Sequence, residues 1–348
     1  MLNKEFGSDF HYCKEDRFLL KSPDQSVFLS KEFSLFFSGR VALYNLVKDG
    51  IEKEKWRKIY FPSYYCHEVV EYIRTLPIKV VYYNFNPFVD SVNKKIEVSD
   101  DEQNVVVNVD FYGLKKVNLE YLKRVVLIDD LTHNILGFKN STASYCFASL
   151  RKELPVPVGG FCFSPKGYVL PVGEDNNKSE DIALNKMKAM ILKREYLEGN
   201  LLDKEAFRRF FALAEEKFEE NYTNTIIPET GKQILYELDV DEILSVKSSN
   251  LKEVVTQLED VNQIIVNMKQ FGNAFGLIIE CQNDMTKIKL KKFLLSKSIF
   301  PATLWPNQFV DIDTQLEKRM LFIHVDYRYG LDDMILIANY IKDFFAND

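Results

Sequence analysis

Residues 144–160, SYCFASLRKELPVPVGG, decide how this chain is read. A short apolar run leads to Ser149, Arg151 and Lys152, and the stretch closes on Gly159 and Gly160. A Lys at the end of a strand is most often a solvated charge. Three residues after a Ser and seven before a Gly pair, it suits another task, the capture of an aldehyde cofactor that bears a phosphate. The amine bonds to the aldehyde, the hydroxyl donates to the phosphate, and the glycines let backbone approach a flat ring.

The segments upstream give this stretch its setting. Between residues 35 and 165, short β-branched runs alternate with helix-like segments. RKIYFPSYY, IKVVYYNF, NVVVNVDFYG, VVLIDDLTH, ASYCFAS and GGFCFSP read as strands. SGRVALYNLVKDGIEKEK, HEVVEYIRTL and LEYLKRV (119–125) read as helices. Near-continuous apolar strands alternating with helices predict an α/β fold, with a mostly parallel sheet covered by helices on both faces. Ligands bind such sheets outside the carboxyl ends of the strands. Ser38–Gly39, Tyr64–Tyr65, Asp110, Asp129–Asp130, His133 and Ser149–Lys152 all fall there.

Residues 178–222 carry Leu, Met and Phe at helical spacing among Lys and Glu, which predicts two long amphipathic helices. TNTIIPETGKQ (223–233) reads as a linker. Beyond it, 251–265, 284–299 and 331–345 read as helices, and 272–282 and 321–330 as strands. The expected organisation is a large cofactor-binding domain over 1–225, with an N-terminal extension, and a smaller α+β domain over 226–348.

The 348 residues are 46% hydrophobic and 28% charged, an ordinary globular composition. A formal net charge of −6 argues against broad nucleic-acid binding, which needs a basic surface. The five cysteines form no CxxC pair, so no metal site and a reduced, cytoplasmic protein are expected. No secretory signal and no membrane span are expected either.

Asp130 closes a strand and could pair with a protonated pyridine nitrogen, which keeps the ring an electron sink; capping the next segment is the plainer role. His133 could reach the ring or its oxygen, or be a structural residue. Ser38, Gly39 and Arg40 precede a helix and could hold an anion, or simply cap it. An aromatic face at Tyr64 or Tyr65 could stack on a ring, or belong to the core.

Taken in order, SGRVAL (38–43), FPSYYCHEVV (61–70), VVNVDFYG (106–113), VLIDDLTH (126–133) and SLRKELPVPVGG (149–160) resemble the DegT/DnrJ/EryC1/StrS-like sugar aminotransferases, which are fold-type I pyridoxal-phosphate enzymes. SSN (248–250) and HVDYRYGLDDM (324–334) are similar to later landmarks of that family. The resemblance implies pyridoxal 5'-phosphate as cofactor, Lys152 as the residue that bonds it, and Asp130 as partner of the ring nitrogen. It places His133 near the ring oxygen, with Gly39, Arg40, Ser38 and Ser149 at the phosphate. Two positions depart from the pattern. Phe147 stands where the family often has a Ser, and Cys66 where it has a stacking aromatic, leaving Tyr65 as the substitute.

The implied reaction moves an amino group from an amino acid, with glutamate a common donor, to a keto sugar, often nucleotide-linked. Arg328 is the candidate clamp for the donor carboxylate. A homodimer with shared active sites is implied as well. Two readings stay open beside this one: another enzyme of the same cofactor, such as a lyase, decarboxylase or acyltransferase, and a non-catalytic relative that keeps the fold for binding.

Overall fold

A computed structural model describes residues 4–218, 223–266, 274–303 and 305–347. Strand β1 (Phe6–Gly7) comes first. Seven strands then build the main sheet: β2 (Phe33–Phe36), β3 (Lys58–Pro62), β4 (Lys79–Tyr83), β5 (Asn104–Val109), β6 (Val126–Asp130), β7 (Tyr145–Ser149) and β8 (Gly160–Phe163). Their spatial order is β2-β8-β7-β6-β5-β3-β4. Strands β3 to β7 run parallel, while β8 is antiparallel to both β7 and β2. Every residue of β5 is buried, as expected of a strand covered on both faces. The register sets Asp130 beside Val109 and Phe147, so the carboxyl ends of β5, β6 and β7 lie side by side.

Helix α1 (Gly39–Lys53) packs on β7 and β8, and α2 (His67–Ile73) follows β3. The two long helices expected over 178–222 are α3 (Asn177–Glu198) and α4 (Lys204–Phe218), packed on each other; residues 219–222 of that expectation lie outside the described ones. Next come α5 (Glu229–Glu237) and α6 (Val240–Leu258), then β9 (Ile264–Val266), β10 (Leu277–Cys281), α7 (Asp284–Ser296), β11 (Ile299–Phe300), α8 (Asp311–Arg319), β12 (Met320–Ile323) and α9 (Leu331–Asn347). Strands β9, β10 and β12 form an antiparallel sheet, and β11 pairs in parallel with β1.

Two apolar cores divide along α6. Ile243 belongs to the core of the main sheet, whereas Leu251, Val254 and Leu258 belong to a second core with β10, α7 and α9. Phe6 joins this second core, so the beginning of the chain packs with its end. No described helix is long and apolar enough to cross a membrane.

Four local expectations need correction. Residues 119–125 form no helix, because the Asp100 carboxylate accepts the backbone N–H groups of Lys123, Arg124 and Val125 at 2.8–3.1 Å. Three successive donors bound to one side chain cannot serve a helical ladder. The helix read over 251–265 ends at Leu258, and Ile264 already lies in β9. Residues 229–233 of the expected linker open α5. The strand read over 321–330 stops at Ile323, where Asp326 and Arg328 turn the chain by bonding each other.

Candidate active site

The carboxyl ends of β3, β6 and β7 open on a cavity of about 580 Å³. Ser38, Gly39, Arg40, Tyr65, Asp130, His133, Ser149 and Lys152 all line it; Arg328 does not.

Lys152 ends a one-turn 3-10 helix that follows β7 directly. Its side chain is open to the cavity and makes no hydrogen bond or ion pair with any described residue. Arg151 beside it, and then burial within the wall, hold its pKa below the ordinary lysine value. Both effects favour the neutral, nucleophilic amine.

Asp130 is buried, and burial raises its pKa. The Tyr65 hydroxyl donates to Oδ2 at 2.5 Å, and the Thr132 backbone N–H donates to Oδ1 at 2.9 Å. No described cation pairs with it, whereas its neighbour Asp129 is paired with Lys116 at 2.7 Å. A buried carboxylate with hydrogen bonds but no counter-charge is a half-built ion pair. Tyr65 therefore offers the site its hydroxyl. Its ring lies on Phe61 at 5.5 Å and tilts against Trp305 at 5.4 Å.

His133 accepts the Tyr112 backbone N–H at Nδ1 (3.4 Å), which assigns the ring proton to Nε2. Burial and then Lys152 lower its pKa to about 3, so it is neutral at pH 7. The imidazole stacks between Phe275 at 4.2 Å and Tyr112 at 5.0 Å, with Trp305 at 5.2 Å. Phe275 and Trp305 were not foreseen. A Trp beside Pro306 in LWPNQ was the visible signal for one; Phe275 left none.

The first turn of α1 forms another wall. The Ser38 hydroxyl accepts the Val41 N–H at 3.2 Å, a helix cap that leaves its own hydrogen free to donate. A Cβ on Gly39 would stand 2.7 Å from the Ser149 nitrogen, and one on Gly160 2.3 Å from the Gly39 nitrogen. Three chain segments can meet here because both positions lack side chains. The cradle they form, with a 15-residue helix pointing its amino end inward, is suited to a phosphate. Arg40 flanks it, over the ring of Tyr72 at 5.1 Å, and donates to the Phe218 carbonyl at 3.5 Å.

Arg328 does other work than expected. Its guanidinium binds Asp326 through two bonds of 2.7 and 2.8 Å and donates to the carbonyls of Gly7, Ser8 and Asp9. Tyr329 accepts the Gly7 N–H at 2.6 Å. With its donors committed, Arg328 cannot clamp a substrate carboxylate. It holds Ser8–Phe10, which do line the cavity.

No family model and no curated protein matches the sequence. Solved structures do match over nearly the whole chain. Helicobacter pylori PseC, an aminotransferase of pseudoaminic acid biosynthesis, is 12% identical, covers 99% of this chain and 100% of its own, and has a TM-score of 0.60. The aminotransferase TlmJ from Streptoalloteichus hindustanus is 9% identical, with 99% and 100% coverage and a TM-score of 0.62. A GDP-4-keto-6-deoxymannose-3-dehydratase with a trapped PLP-glutamate geminal diamine is 15% identical, with 93% coverage of each chain and a TM-score of 0.60. The fold is that of the fold-type I aminotransferases. The end-to-end coverage takes in α3, α4 and the C-terminal sheet as well as the main sheet.

Proposed function

We propose that the protein is a pyridoxal-phosphate-dependent aminotransferase that moves an amino group from an amino acid, glutamate foremost, to a nucleotide-linked keto sugar, in line with two structural neighbours, DesI with its TDP-sugar product and a GDP-4-keto-6-deoxymannose-3-dehydratase. One observation carries the reading: the unpartnered amine of Lys152 shares a cavity with the uncompensated carboxylate of Asp130 and the amino end of α1.

The residues present fit the cofactor. The cradle of Gly39, Ser38 and Ser149 would take its phosphate, with Arg40 adding charge. Asp130 would gain the cation it lacks from a protonated ring nitrogen, while Tyr65 and Thr132 keep the carboxylate oriented. Lys152 would hold the aldehyde end. When bound, the conjugated ring supplies a sink for the electron pair left on the donor's α-carbon. Lys152, once released, would take the proton from that carbon, and its lowered pKa favours the neutral amine that a base must be. Neutral His133 can donate from Nε2 to an oxygen without adding charge. Phe275, Trp305 and Phe322 narrow the space and exclude water.

In this reading residues 1–225 supply the cofactor site and 226–348 its cover. A homodimer and a cytoplasmic location complete the proposal, on the strength of the family resemblance.

The test is direct. The protein is incubated with pyridoxal phosphate, reduced with borohydride and mapped by peptide mass spectrometry. Label on Lys152, together with conversion of the cofactor to its pyridoxamine form by L-glutamate, supports the proposal. Label on other lysines alone overturns it; label on Lys152 without glutamate conversion removes the transamination.

A further inference from the structure

The commitment of Arg328 leaves a donor carboxylate without its expected partner. The cavity wall supplies others. Arg40 lies at the phosphate end, on α1. Arg151 and Lys186 come from different elements and converge on a single oxygen, Oε1 of Glu215. Arg151 reaches it at 2.9 Å, and Lys186 Nζ binds it as well. The ring of Phe218 lies under both cations, 4.2 Å from the guanidinium and 5.6 Å from the ammonium.

The three charges are not equally built in. The Lys186 side chain is 6% exposed and Arg151 20%, whereas Glu215 is 40% exposed. Glu215 sits on α4 with Phe211 and Phe218, four residues before and three after, so the three share one helix face. Helix α4 packs on α3, and its fixed contacts are apolar: Phe207 and Phe211 against Ala189 and Met190. The two cations are thus anchored in the wall, and the acid that bonds both is carried in by a neighbouring helix, with Asp9 acting on Lys186 from further off.

This corner also lies in the right place. Arg151 precedes Lys152, and its charge is the main influence on that amine. An amino acid carries its carboxylate one carbon from its nitrogen. A donor whose nitrogen reacts where Lys152 acts places its carboxylate in the same cavity, whose wall includes both Arg151 and Lys186.

We propose that Arg151 and Lys186 form the binding site for the donor's carboxylate, and that Glu215 is an internal stand-in which the donor displaces. This rests on the aminotransferase reading. A guanidinium offers a carboxylate two parallel bonds, and an ammonium adds a third.

The experiment uses the whole protein after incubation with pyridoxal phosphate and two probes: maleate, which has two carboxylates and no amine, titrated by calorimetry, and L-glutamate, followed by the change in cofactor absorbance. Arg151→Gln and Lys186→Met weaken maleate binding roughly tenfold or more, about what one charge-assisted bond contributes. They raise the glutamate concentration for half-maximal conversion in parallel. Glu215→Gln, which is isosteric and half exposed, moves both quantities the other way, by several-fold. A purely structural ion pair cannot give opposite signs from its two sides. Weakened maleate binding in Glu215→Gln, or unchanged binding in Arg151→Gln, overturns the proposal. The two readings also separate. Should the protein fail to load cofactor while maleate follows these signs, the anion site stands and the aminotransferase reading falls. Should Lys152 carry the cofactor while maleate ignores all three changes, the reverse holds.

Discussion

Acid should destabilise this protein well above the range in which carboxylates titrate. The chain has four histidines. Burial first, then Arg328, lowers His11 to about 3; burial, then Lys152, lowers His133 to about 3. Burial lowers His324 to about 4, with Asp326 opposing and Arg328 assisting, and His67 is lowered too. A base that resists protonation in the fold takes its proton preferentially when unfolded. Stability is therefore complete above about pH 6.5 and is lost as pH falls toward each folded-state pKa. Between pH 7 and 5.5, each of His11, His133 and His324 costs about 1.3 kcal/mol, or about 4 kcal/mol together. The carboxylates do not add to this. Asp326, lowered to about 2 against its burial by Arg328, loses its contribution as pH falls from the ordinary carboxylate pKa toward about 2, below this window. Asp110, Asp130 and Asp313 are raised by burial and act in the opposite sense, and His67 in the same sense, so about 4 kcal/mol is the share of the three imidazoles alone. Urea midpoints measured at both pH values on cofactor-free protein give the test. His11→Gln should remove about a third of the loss. A loss between the two pH values that His11→Gln leaves unchanged would refute the assignment of that imidazole as neutral and buried.

Three further outcomes follow from single contacts. Lys152→Ala abolishes turnover, yet by relieving the repulsion from Arg151 it leaves thermal stability at pH 7 unchanged or slightly raised, as is common where function opposes stability; a lower melting temperature for the cofactor-free variant argues against it. Lys247→Met strands Glu153, whose side chain is 1% exposed, and costs about 3–5 kcal/mol in urea denaturation, most of it recovered by adding Glu153→Gln; equal loss in the double variant sinks the account. Gly39→Ala drives a Cβ to within 2.7 Å of the Ser149 backbone, lowers stability by about 1–3 kcal/mol and weakens cofactor affinity, read by fluorescence titration; unchanged affinity means the cradle does not hold the phosphate.

The main sheet and the cofactor cradle were legible because their signals are local. Apolar runs such as NVVVNV can only be covered strands, and Ser38–Gly39 and Ser149–Lys152 sit at element ends whatever the tertiary packing. What was not legible depends on contacts distant in the chain. The guanidinium of Arg328 looked available in VDYRYG because nothing nearby in sequence reveals that residues 7–9 return to it across more than three hundred positions. Tyr65 read as an aromatic face, and only the fold shows its hydroxyl 65 residues away on Asp130. The Lys123–Val125 stretch had helical composition, which the carboxylate of Asp100 overrides from 23 to 25 residues upstream. The cover of the cavity, Phe275 and Trp305, comes from loops whose composition carries no periodicity.

The lysines give an argument for the reactive residue that needs no motif. Lys186 and Lys247 are buried against Glu215 and Glu153. Lys193 bonds the Asp9 carbonyl and the Ser8 hydroxyl, and Lys287 the Glu317 carbonyl. Each offsets its lost hydration with a partner, as a buried ammonium must. Lys152, by contrast, is open to the cavity and has no such partner among the described residues; the charge that acts on it most, that of Arg151, repels it. The free amine faces a space bounded by an uncompensated carboxylate and a helix amino end, a setting that suits a visitor carrying a positive edge and an anionic group.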